Sequence, residues 1–72
     1  MSTDQSARLS GTVTQFDEFI GLGEITDGKR RIWPFHCVSI ADGSRTIPTG
    51  MAVTFLPAFR VARLEAVSII PA

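Results

Sequence analysis

The sequence predicts an all-β fold of five short strands, and three observations lead there. No segment carries a sustained i, i+3, i+4 apolar stripe, so no long helix is expected. β-branched and aromatic residues gather instead into short runs at residues 8–16, 22–26, 31–37, 51–56 and 63–70. Glycine, proline and Asp-Gly turn signals separate the runs. Five strands at such intervals make a small barrel or sandwich. With 72 residues the chain holds one domain. A chain this short buries only about 60% of its unfolded surface, so its core is small. The apolar fraction of 44% nevertheless excludes an intrinsically disordered chain.

Residues 1–7 are small and polar without periodicity and read as a loose tail, leaving 8–72 as the domain. The first strand holds Thr12, Val13 and Thr14, whose branched side chains suit a pleated surface. Gly21 and Gly23 introduce the second strand and mark a bulge or sharp bend. Asp27-Gly28 reads as a two-residue hairpin turn, because both residues tolerate positive φ. The third strand returns through residues 31–37, where alternation puts Trp33 and Phe35 on one face and Pro34 and His36 on the other. Residues 39–50 form a long loop, tacked to the core by Ile40 and Ile47. In the fourth strand Val53 and Phe55 alternate against Ala52 and Thr54, and Pro57 ends it or sets it at an edge. Pro71 closes the fifth. Val13, Ile25, Trp33, Phe35, Ile40, Val53 and Ile69 are the expected inward set.

Charge and cysteine content restrict the function. Seven basic residues balance seven acidic ones, whereas a nucleic-acid binder more usually carries a basic excess or patch. Cys37 is the only cysteine, so no internal disulfide forms and a reducing cytoplasm is expected. No secretory h-region follows Met1, and no apolar run approaches the roughly 20 residues of a membrane span, so no membrane partner is expected. His36 and Cys37 are neighbours, and strand alternation sends them to opposite faces, which speaks against a nucleophile–base pair. One histidine and one cysteine fall short of a zinc ligand set. Neither an enzyme, a metal nor a cofactor is expected.

Three motifs remain. Gly11-Thr12-Val13-Thr14-Gln15-Phe16-Asp17, Ile20-Gly21-Leu22-Gly23-Glu24-Ile25 and Ile32-Trp33-Pro34-Phe35-His36-Cys37 follow one another at fixed spacing. In that order they resemble the first three strands of the bacterial cold-shock domain, and the resemblance runs over residues 9–69. It implies a five-stranded antiparallel β-barrel of the OB-fold type that binds single-stranded RNA or DNA through aromatic side chains on one sheet face.

The middle motif is similar to the family's Lys-Gly-Phe-Gly-Phe-Ile, with Ile20, Leu22 and Glu24 standing for the lysine and both stacking rings. The third is similar to Val-Phe-Val-His-Phe; His36 keeps the histidine, Pro34 stands where a binding-face ring would be, and Cys37 replaces the last phenylalanine. In the first, Phe16 is kept while Gln15 replaces a tryptophan. Trp33 then reads as a core filler, and Phe16 as either core or stacking ring. Lys29, Arg30 and Arg31 on the hairpin and Arg45 in the loop are the expected phosphate contacts, and Arg60 and Arg63 join Arg45 in a second, looser cationic set. Glu24 repels phosphate in mid-sheet, where a ring would supply ~1–3 kcal/mol per stacked base.

Two functions follow. The first is a cold-shock-like, single-stranded nucleic-acid-binding protein of weakened affinity, using Gln15, Phe16, Leu22, Pro34 and His36 with those four cations. The alternative is a protein-interaction module that keeps the barrel and repurposes its face. Phe16, Leu22 and Pro34 make that face apolar, and Phe19 and Phe59 are expected on exposed loops.

Overall fold

The computed structural model describes residues 8–60 and 63–72. The tail expected at residues 1–7 lies outside the described residues. Five strands, β1 (Leu9–Asp17), β2 (Leu22–Asp27), β3 (Ile32–His36), β4 (Ala52–Arg60) and β5 (Arg63–Pro71), form one antiparallel sheet. Their order is β3-β2-β1-β4-β5. A 3-10 turn, Cys37–Ser39, follows β3. Beyond it Ile40 makes a parallel bridge to Ile69, and the Ala41 N–H donates to the Ile69 carbonyl at 2.9 Å. This ties the chain after β3 to the far edge strand β5.

All seven residues of the expected inward set are buried, joined by Ile47, Phe55 and Ala66. Trp33 packs on Phe55 with ring centroids 5.3 Å apart. No helix among the described residues is long and apolar enough to cross a membrane.

Three local expectations need correction. β4 does not end at Leu56 but runs through Pro57, which pairs with Ala66 of β5. Among the described residues β1 accompanies β4 only as far as Phe55, so beyond that point no described strand pairs on that side of β4, where a proline's missing donor costs no ladder bond. Phe59 therefore sits on a strand rather than a loop, although it is exposed as expected.

The β2–β3 hairpin is also different. The Arg30 N–H donates to the Asp27 carbonyl and the Asp27 N–H to the Arg31 carbonyl, each at 3.0 Å, while Arg30 takes the positive φ of 65°. That is a three-residue loop, with Asp27 still in the strand. The Asp27 carboxylate explains the choice. It accepts the backbone N–H groups of Lys29 and Arg31 at 2.8 and 2.9 Å and so builds the turn itself.

The bulge, finally, is not at the glycines. β1 slips by one residue at Thr14, between the Val13–Ile25 and Gln15–Glu24 pairs. Gly23 pairs regularly with Phe16 and Phe35. A Cβ there would stand 2.5 Å from the Phe35 ring and 2.7 Å from the Gln15 carbonyl oxygen, so close packing demands the glycine. Gly21 has φ of 70° in the β1–β2 turn, which is the bend expected of it.

Candidate functional site

The Thr14 bulge decides which residues of β1 reach the outer face. Val13 points inward; strict alternation would send Gln15 inward as well. The extra residue instead leaves both Thr14 and Gln15 exposed and opposes Gln15 to Glu24. On β2 and β3 the alternation is regular, with Leu22, Glu24, Ile32, Pro34 and His36 all on the face away from the core.

Cross-strand register turns these side chains into a grid. One row runs Asp17–Leu22–His36 across β1, β2 and β3; the next runs Gln15–Glu24–Pro34; the last ends in Thr26–Ile32. All of the grid but Thr26 lines an open groove of about 1020 Å³, to which β5 adds Arg63 and Glu65. Ile20 and Glu18 line its β1–β2 end, and Val38 adds to the β3 side. Phe16 lies parallel to Phe35 at 5.8 Å over the bare Gly23 backbone, half in the core and half in the groove. The core packing is observed, and the remaining half of the ring is exposed to the groove.

Of the nine expected contact residues, Gln15, Phe16, Leu22, Pro34 and His36 line this groove. The four expected phosphate contacts do not. Lys29 and Arg30 sit on the hairpin tip beyond the Thr26–Ile32 row. Arg31 is engaged elsewhere: its Nε donates to Asp27 Oδ2 at 2.9 Å, and its guanidinium lies 5.7 Å from the centre of the Trp33 ring. Arg45 is at the opposite end, where Thr46 Oγ1 donates to Glu18 Oε2 at 2.7 Å. Among the described residues the groove carries four carboxylates, Asp17, Glu18, Glu24 and Glu65, against the guanidinium of Arg63.

Three of those carboxylates have partners. Asp17 accepts the Phe19 N–H at 2.9 Å, Glu18 holds Thr46, and Glu65 faces Arg63 at 3.8 Å. Glu24, in the middle of the middle row, has no side-chain partner among the described residues. Beneath the floor the situation is the reverse. Asp27 Oδ2 accepts the indole Nε1–H of buried Trp33 at 3.0 Å. That bond comes first, then the Arg31 N–H. With the Lys29 N–H and the Arg31 guanidinium they outweigh desolvation and hold the carboxyl well below the usual carboxylate range.

His36 and Cys37 do approach each other, with Nδ1 and Sγ 3.8 Å apart. The expectation that they diverge fails because β3 ends at His36 and Cys37 opens the 3-10 turn, where alternation no longer applies. No three of His, Cys, Asp and Glu among the described residues come together as a metal site.

Arg63, expected only as part of a loose cationic set with Arg45 and Arg60, lines the groove, and sequence reasoning missed Glu65 beside it. No local signal brings β5 there, since only tertiary topology does so. Ile32 was within reach, because it shares the face of Pro34 and His36 by simple alternation. No protein-family model matches this chain, and no curated protein matches it.

Proposed function

We propose that this chain is a protein-interaction module, a cold-shock-like OB barrel that takes a segment of another protein into the groove over β1, β2 and β3. One observation carries the reading. Among the described residues the groove holds four carboxylates and one guanidinium, and Lys29, Arg30, Arg31 and Arg45 lie off it at either end. A polyanion laid along this floor meets like charge at its centre, and no ring remains at Glu24 or Gln15 to offset the repulsion by stacking. Exposed Leu22, Ile32 and Ile20 instead offer apolar area of the kind that partner surfaces use. Closure of the sheet into a barrel is part of the proposal. The Ile40–Ile69 bridge and the presence of Arg63 and Glu65 opposite β3 both support it.

A second reading, binding of single-stranded nucleic acid, rests on exposed His36 and half-exposed Phe16 sharing the groove. A heteronuclear NMR titration with oligo-thymidine and oligo-uridine decides between the two. The docking reading expects no saturable shifts at Gln15, Leu22, Glu24 and His36. Saturable shifts across those rows would establish the nucleic-acid reading in its place.

A further inference from the structure

We infer that the groove selects an extended segment of a partner protein with the pattern apolar-x-basic-x-apolar, its cation seated on Glu24. The inference rests on the docking reading above and specifies its ligand. The floor spans roughly 13 Å along the strands and about 10 Å from β1 to β3, which one extended segment of about five residues covers. Its rows repeat every two residues, about 6.6 Å, as do the side chains on one face of any extended chain. Alternate residues of such a segment therefore fall in register with Leu22, Glu24 and the Thr26–Ile32 row.

The chemistry of the rows then sets the pattern. Leu22 and Ile32, at 47% and 59% exposure, call for apolar side chains at either end. Between them Glu24 is the one groove carboxylate without a side-chain partner among the described residues, flanked by Gln15 and Pro34, which carry no charge. A lysine or arginine there gains an ion pair on a partly apolar floor, where it is screened less than at an open surface.

Pro34 fixes how the segment lies. The Cys37 N–H donates to the Gly21 carbonyl and the Arg31 carbonyl accepts from the Asp27 N–H, both toward β2. Alternation then turns the backbones of residues 32, 34 and 36 away from β2, and the central one is a proline with no donor. Strand addition is thereby denied a donor at the centre of β3's outer side, which the proposed closure turns toward β5, so the segment lies on the face instead of extending the sheet. A second copy of this chain does not supply the pattern. None of its seven basic residues has an apolar residue larger than alanine two positions away on both sides.

The test is an NMR titration of the full chain with the peptide Ser-Leu-Ser-Arg-Ser-Leu-Ser, alongside one with glutamine for arginine and one with serine for both leucines. Saturable shifts at Leu22, Glu24 and Ile32 are expected for the first. Each control should bind at least about tenfold more weakly, equivalent to about 1.4 kcal/mol. Glu24→Gln should erase the arginine preference while leaving the fold unchanged by circular dichroism. If the preference persists in Glu24→Gln, the cation is not seated on Glu24 and the inference falls. The docking reading survives that result if Leu22→Ser still abolishes binding. If no peptide binds, or oligo-thymidine displaces the peptide from these rows, the inference is overturned; in the second case the docking reading falls with it. Self-association that Glu24→Gln abolishes would make a second copy the occupant and overturn the inference too.

Discussion

Strands β2 and β3 present two faces built from adjacent residues, and the two are finished to different degrees. The inner face holds Gly23, Ile25, Asp27, Trp33 and Phe35, each buried. Its one carboxylate is met by an indole N–H, two backbone N–H groups and a guanidinium. The outer face holds Leu22, Glu24, Ile32, Pro34 and His36, where the apolar groups are wet and the carboxylate has no side-chain partner among the described residues. Folding accounts for the first set. Folding alone has no use for the second, and this is why the outer face reads as the interaction surface.

Truncation separates the faces most widely. Phe55 is fully buried against Trp33, so Phe55→Ala should cost about 3–5 kcal/mol in urea unfolding. Leu22→Ala, on the outer face, should stay within about 0.5 kcal/mol. Equal losses would break the comparison by making Leu22 a core residue.

Gly23 probes the same boundary from within one strand. The new methyl of Gly23→Ala meets the Phe35 ring and the Gln15 carbonyl, and overpacking of that kind costs about 1–3 kcal/mol. The substitution should also disturb the Phe16–Phe35 stack, visible as shifted aromatic resonances. An unchanged unfolding midpoint would mean that the rings have room, and that the glycine serves the backbone alone.

The inner face was legible from sequence and the outer face only in part, for a physical reason. Burial restricts identity: alternating Val53 and Phe55, or Trp33 and Phe35, have one stable orientation, so a period-2 pattern finds them. Gln15 defeats that pattern because the bulge at Thr14 resets the phase, and nothing about Thr14 announces it. Arg63 and Glu65 reach the groove only through the sheet order, which local sequence does not carry. The sequence offers Asp27 as a turn residue for its backbone tolerance. Its side chain matters more, because it links the hairpin turn to Trp33, six residues away.

Asp27 also gives the inner face a pH signature. Its folded-state pKa lies below the unfolded value of about 3.9, chiefly through the Trp33 indole bond. The stabilisation is therefore complete above that unfolded value and is lost as pH falls below it toward the folded one. Urea midpoints of the wild type should fall through this acid window. Asp27→Asn should start lower at neutral pH and show a shallower acid limb. Asp42, lowered more simply by the Ser44 N–H and hydroxyl, leaves a residual slope in both proteins. Identical acid limbs would show that the Asp27 network does not distinguish the folded from the unfolded chain.

The smallest expected effect is the most direct check that the two faces are independent. Trp33 is the only tryptophan, 6% exposed, with its indole N–H committed to Asp27 beneath the sheet. A ligand on the outer rows touches Leu22, Glu24 and Ile32 and is separated from the indole by the sheet backbone. Trp33 emission should therefore change little on saturation with the arginine peptide, and as little with oligo-thymidine. Arg31 provides a route to the indole from outside, since its guanidinium packs on the ring from the exposed hairpin. Arg31→Ala should alter the intrinsic emission of Trp33 without creating a ligand response. Strong quenching by either ligand in the wild type would place a binding surface on the hairpin side, over Arg31 and Trp33, and would remove Glu24 from the centre of the site.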